Sequence, residues 1–128
     1  MSIKKIYTPE APEPIGPYSQ AIKAGGFLYL SGQISIDPKS GNVVHTQDIK
    51  AETKQVLENI KAVLIAAEAD WKQVVKVSIF LKNMDDFQAV NEVYATYFDD
   101  IQPAREAVEV AKLPKGVNVE MSLVAFLG

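Results

Sequence analysis

Hydrophobic and polar positions along the chain alternate in two distinct periods. "AIKAGGFLYLSGQISI" (residues 21–36) carries strand formers on both sides of Gly25-Gly26, a tight-turn signal, with Tyr29, Leu30 and Ile34 strengthening the second run; this predicts a hairpin. "DPKSGN" (37–42) reads as a turn. From 48 to 67 the period changes. Ile49, Thr53, Val56, Leu57, Ile60, Val63, Leu64 and Ala67 recur at spacings of three and four, which predicts a long helix with one buried face and Asp48 or Thr46 as its cap. "VVKVSIFL" (74–81) is short and β-branched, hence a strand. "NMDDFQAVNEVYATYF" (83–98) opens on good N-caps and repeats Phe87, Val90, Tyr94 and Tyr97, hence a second helix, whose aromatic residues read as packing. Residues 104–110 and 117–126 read as two closing strands joined by "AKLPKG". Ile3 to Tyr7 adds an edge strand, and the proline-rich "TPEAPEPIGPYSQ" (8–20) reads as an ordered loop across the surface.

The order ββ-α-β-α-ββ predicts an α+β fold: a single domain over residues 1–128, with one mixed sheet and both helices on one face. A consequence follows for the other face. It must be polar or meet another subunit.

Composition narrows the function classes. The chain of 128 residues is 48% hydrophobic and 23% charged, an ordinary globular balance. A net charge of −3 is poor footing for a phosphate backbone, so no nucleic-acid partner is expected. There is no cysteine, which excludes disulfides and thiolate chemistry and fits a reducing cytosol. "MSIKKIYTPE" lacks an apolar core of the signal-peptide kind, and no apolar run reaches the roughly 18 residues of a membrane helix. A cytoplasmic location with no membrane partner is therefore expected. His45 is the single histidine and reads as solvated, with no metal-binding constellation around it.

Arg105 is the odd residue of the strand "PAREAVEV". If the last two strands form an antiparallel hairpin, matching Val108 and Val110 with Val119, Met121 and Leu123 fixes the parity of the register. The same parity then puts Arg105 and Glu120 together on the face away from the helices, beside the small Ala107. On pattern alone such a pair reads first as a structural ion pair.

"IGPYSQA", "LYLSGQI", "DPKSG", "NEVYATYF", "PAR" and "LPKGVNVEMSLVA" occur in this order, nearly end to end, and the chain resembles the YjgF/RidA family of reactive-intermediate deaminases. The resemblance implies a chorismate mutase-like fold and a homotrimer whose sheets form a central barrel, with clefts between subunits. It also implies cofactor- and metal-independent hydrolysis of enamine and imine acids (2-aminoacrylate, 2-iminobutanoate, 2-iminopropanoate) to 2-oxo acids and ammonia. On the matching positions, Arg105 holds the substrate carboxylate with its planar fork. Glu120 orients or deprotonates the attacking water. Tyr18, Ser31, Gly32, Asn91 and main-chain groups near Ala107 complete the cleft. A nearby Arg105 is expected to favour the Glu120 carboxylate and weaken it as a base until substrate binds.

Departures from the family pattern are Glu106-Ala107 where many relatives carry Ser-Cys, Ser122 in place of a second acidic residue, and Glu68 where a glycine is expected. The alternative function is a non-catalytic regulator, or translation inhibitor, that binds a small molecule in the same cleft. A ribonuclease reading fits badly with the acidic charge and the single histidine.

Overall fold

The computed structural model describes residues 2–128. Its sheet has six strands in the order β1-β2-β3-β6-β4-β5. These are β1 (Ile3–Ile6), β2 (Ala21–Ala24), β3 (Phe27–Gln33), β4 (Val74–Leu81), β5 (Ala104–Glu109) and β6 (Val119–Phe126). Helices α1 (Ile49–Ala66) and α2 (Phe87–Ala95) join β3 to β4 and β4 to β5. The α+β class, the mixed sheet and the edge strand β1 agree with the sequence expectation. Helix α2 stops at Ala95, short of the expected Phe98, and is preceded by a 3-10 turn over Met84–Asp86.

Local chemistry explains the elements. Gly25 and Gly26 both adopt positive φ (56° and 83°), the two-residue turn whose twist matches the β2–β3 hairpin. Asp48, not Thr46, caps α1 by accepting the N–H groups of Lys50 and Ala51 at 3.2 Å. At the other end Glu68 takes φ +58°, while the Ala69 N–H reaches the Leu64 carbonyl and the Glu68 N–H reaches that of Ile65. This is a Schellman closure with a glutamate in the left-handed position where glycine is normally found.

Both helices cover one face. Val56, Leu57, Ile60, Val63, Leu64, Val90 and Tyr94 pack on Leu28, Leu30, Val77, Ile79, Leu81, Val119, Met121 and Leu123. Period-two alternation sends Lys76, Ser78, Phe80, Glu120, Ser122 and Val124 to the opposite face, where Phe27, Tyr29, Val108 and Phe126 stand exposed.

The expected closing hairpin does not form. β5 pairs with β4 in parallel, and β6 lies on the far side of β4, antiparallel to it. β4, α2 and β5 form a βαβ unit, whose second strand lies parallel beside its first, and β6 occupies the other side of β4, between it and β3. Ala107 therefore pairs with Ile79 and packs against the helix-side core, whereas Val108 pairs with Phe80 on the open face. The hairpin parity had these two inverted.

Replacing Glu68 by glycine should raise stability by about 1 kcal/mol, the left-handed penalty less the entropy of a freer unfolded chain. Thermal unfolding of Glu68→Gly should show a midpoint about 4 °C higher; an unchanged or lower midpoint would mean that the residue is unstrained.

Candidate active site

The expected site residues fall into two groups on opposite faces of the sheet. Arg105 pairs with Val77, a helix-side residue, and its Nη1 donates to Asn91 Oδ1 at 2.7 Å. Its guanidinium lies over the rings of Phe87 (5.4 Å to the centroid) and Tyr94 (4.7 Å). Asn91, Phe87 and Tyr94 all belong to α2, so this helix holds Arg105 at the outer edge of the sheet. Arg105, Asn91, Tyr94, Gln102 and Pro103 line a cavity of about 450 Å³. Among the described residues Arg105 forms no ion pair.

Glu120 pairs with Phe80 on the open face, so one chain does not bring the two charges into a shared crevice. The reason is the strand order: β5 and β6 are not neighbours, and Arg105 and Glu120 have opposite parity on the two sides of β4. Glu120 instead lines a cleft of about 370 Å³ with Tyr18, Ser31, Gly32, Gln20, Ile34 and Pro114. Tyr18, Ser31, Gly32 and Glu120 are thus together; Arg105 and Asn91 are together elsewhere, with Ala107 two residues along β5 on the same face.

The Glu120 cleft is built by three local devices. First, β3 and β6 lose register between Leu30 and Gln33: Leu30 faces Leu123 and Gln33 faces Met121, so β3 carries one extra residue, a bulge at Ser31-Gly32. Second, Gly32 leaves room for the carboxyl. A Cβ on residue 32 would stand 2.0 Å from Glu120 Oε2. Third, the proline-rich segment is fixed by Gln20, which is almost wholly buried. Its amide accepts the Thr8 N–H at 2.8 Å and donates to the carbonyls of Thr8 (3.0 Å) and Pro12 (2.9 Å). Ser31 adds two bonds to the same segment, from its N–H to Gln20 and from its hydroxyl to Ser19. Tyr18, half exposed at the rim, accepts the Ile15 N–H at 3.3 Å, so it anchors the loop as well as walling the cleft.

Burial alone pushes the Glu120 carboxyl above the ordinary carboxylate range. This reverses the expectation that Arg105 would hold it down. Among the described residues Glu120 forms no ion pair, so desolvation is unopposed.

Glu52 and Asn59 supply a layer beneath the site that hydrophobic periodicity passes over. The Glu52 carboxylate is fully buried and accepts from the Asn118 N–H (2.7 Å), the Asn118 amide (2.8 Å) and the Val119 N–H (3.2 Å). Asn59 donates to the carbonyls of Ile34 (3.1 Å) and Ile36 (2.9 Å). Their sequence signal is a polar residue on the apolar face of α1.

His45 is exposed with φ +66°, and among the described residues no group of three His, Asp or Glu side chains could hold a metal ion. No helix is long and apolar enough to cross a membrane.

Substituting Gly32 by alanine should displace the flexible Glu120 carboxyl rather than the backbone. In a ¹³C NMR titration of Gly32→Ala, the Glu120 carboxyl should move back toward the ordinary range. If its midpoint stays where the wild type has it, the glycine is not what makes room for that group.

A family model described as endoribonuclease L-PSP matches residues 8–127. A RutC family protein of Pyrococcus horikoshii is 58% identical over 121 residues, covering 94% of this chain and 95% of the relative. A mouse 2-iminobutanoate/2-iminopropanoate deaminase is 46% identical over 125 residues, covering 98% of this chain and 92% of the relative. The crystal structure of E. coli TdcF with bound serine superposes with a TM-score of 0.92 at 36% identity, covering 98% of this chain and 99% of that one. A model match across nearly the whole length, together with relatives above half identity, places this chain in the L-PSP (YjgF/RidA) family.

Proposed function

We propose that this protein is a hydrolytic deaminase of small enamine and imine acids, working without a cofactor at a site that two copies of the chain build together. The observation that carries the reading is a complementary deficiency. The Glu120 carboxyl sits half-buried in a cleft with no cation beside it, and the Arg105 fork stands on an outward edge with no carboxylate. A second copy that set its Arg105 edge against the Glu120 cleft would complete both. The exposed Phe27, Tyr29, Val108 and Phe126 on the uncovered sheet face support association, with a homotrimer enclosing a central barrel as the assembly. The mouse and mite relatives that carry the deaminase name support the reaction class.

The chemistry matches the parts. Arg105 clamps the substrate carboxylate with two parallel charge-assisted bonds, turned outward by Asn91. The enamine tautomerises to the imine. Glu120 takes a proton from a water as the water oxygen bonds to the C=N carbon, and passes that proton to the nitrogen. The carbinolamine then loses ammonia to leave the 2-oxo acid. A carboxyl pushed up by burial is a stronger base than an exposed one, and base assistance of this type is worth about 10²–10⁴-fold. Tyr18, Ser31, Gly32, Asn91 and main-chain groups near Ala107 act in positioning. The serine bound to TdcF favours a second reading, in which the cleft only binds amino or oxo acids and signals their level.

The deciding measurement generates 2-aminoacrylate or 2-iminobutanoate in situ with a serine/threonine dehydratase and follows its decay. Wild type should speed decay, Glu120→Ala should lose about 10²–10⁴-fold, and Arg105→Lys should lose most activity while keeping its charge. No acceleration by the wild type would leave the binding-only reading. Mixing Arg105→Ala and Glu120→Ala subunits tests the shared site: random mixed trimers should recover about one quarter of the wild-type sites. Zero recovery from verified mixed trimers would mean that each chain acts alone.

The pH profile carries a sign. Glu120 acts deprotonated, so kcat/KM should fall as pH drops through its raised midpoint, above the ordinary glutamate range. An acid limb at or below that range would exclude Glu120 as the base.

A further inference from the structure

Tyr94 faces the core side of α2 and reads from sequence as helix packing, but its surroundings give it a second role. Only 7% of it is exposed, and one surface of its ring is covered by the Arg105 guanidinium, 4.7 Å from the centroid. The ring also stacks on Phe98, with centroids 4.5 Å apart and planes 25° from parallel. Phe98 in turn takes Trp71 edge-on at 4.9 Å. The result is a column, Trp71–Phe98–Tyr94–Arg105, whose buried middle members are Phe98 and Tyr94 and whose Arg105 end lies at the cavity edge. Its outermost member is the planar cation.

The Tyr94 hydroxyl adds an independent observation. Among the described residues it makes no hydrogen bond of regular geometry. Burial raises its pKa, while the charge of Arg105 and a hydrogen-bonding contact with the guanidinium oppose that rise, so the hydroxyl lies within reach of the same cation that covers the ring.

An arginine held by one hydrogen bond, to Asn91, can still turn about its terminal bonds. A flat aromatic surface beneath it removes that freedom, because the guanidinium is attracted to the ring face over a broad, planar contact. We propose that Tyr94 is a positioning residue, whose ring, backed by Phe98, fixes the plane in which Arg105 presents its two parallel N–H groups to a carboxylate. This rests on the reading of Arg105 as the carboxylate clamp. Phe87 touches the same guanidinium from farther away, at 5.4 Å. Asn91 fixes one nitrogen, and Tyr94 fixes the plane.

The test is a double-mutant cycle on the full-length protein in its solution assembly, with 2-oxobutanoate as the probe and affinity read by NMR titration into the millimolar range. Tyr94→Leu should weaken binding by about 3- to 30-fold, the range of a partly desolvated cation–ring contact. In an Arg105→Gln background the same change should cost less than about twofold, since nothing is left to orient. Tyr94→Phe, which keeps the ring, should bind within about twofold of wild type. A purely structural role would instead weaken binding equally in both backgrounds, and that result overturns the proposal. Should Tyr94→Leu fail to fold, Phe98→Leu removes the backing ring one layer deeper and should weaken binding by about 2- to 3-fold, again only when Arg105 is present. Unchanged affinity in a folded Tyr94→Leu or Phe98→Leu protein also overturns it. If Arg105→Gln alone binds the probe as well as wild type, the clamp reading itself fails and takes this one with it. If Arg105→Gln weakens binding and Tyr94→Leu does not, only the role of Tyr94 is lost.

Discussion

The buried carboxylate of Glu52 fixes where β6 begins. It gathers three N–H donors from Asn118 and Val119, the residues immediately before Glu120. A buried carboxylate without partners would cost several kcal/mol, so this arrangement tolerates little slippage. Seven residues along the same helix, Asn59 grips the carbonyls of Ile34 and Ile36, just past the β3 bulge. Thus α1 reaches to both flanks of the Glu120 cleft from the opposite face of the sheet. A one-residue slip of β6 would drive Glu120 into the apolar layer and bring Met121 out. The polar bonds set the register, and hydrophobic burial supplies the driving force that the register directs.

The bulge and the glycine follow from that register. With β6 fixed, the Glu120 side chain crosses β3 where Gly32 has no Cβ, and the extra residue at Ser31-Gly32 turns the backbone so that the carboxyl lies across it. The Gln20 amide then closes the cleft by pinning the proline-rich segment over its rim. Each device brings a group near Glu120 without supplying a cation, and the carboxyl accordingly rises under burial alone.

Periodicity made the elements legible. The α1 pattern, the Gly25-Gly26 turn and the β-branched run of β4 each dictate a local structure; α1 lies where the spacing puts it, and α2 fills the middle of its expected run. Pairing was not legible from local pattern. Val108 and Val110 look like core residues because an edge strand also carries β-branched side chains; on β5 Val108 is exposed on the open face while Ala107 takes the core position. The overlooked signal was topological: strand, helix, strand over residues 74–109 is the signature of a parallel crossover that sets β5 beside β4, and β6 then pairs on the other side of β4. Glu52, Asn59 and Gln20 were missed for a related reason. A polar residue at an apolar position looks like noise until its partners, which are distant in sequence, are known. The members of the candidate site were nameable through the family pattern, but their division between two faces was not, because it depends on β4 lying between β5 and β6.

That division has an electrostatic logic. Had Arg105 and Glu120 met within one chain, as an ion pair on a sheet face, the arginine would have lowered the carboxyl and quenched it as a base, and the carboxylate would have occupied the fork meant for a substrate. Separating them leaves the base raised and the fork free while the chain is alone. An interface between copies can then set the two at the distance of a bound imino acid, whose own carboxylate neutralises the arginine. In the proposed assembly the open sheet face and the split site would be one design: contacts that covered the exposed Phe27, Tyr29 and Phe126 would also bring a second chain's arginine toward the cleft. A monomer would keep both chemical parts and have no place where they act on the same molecule.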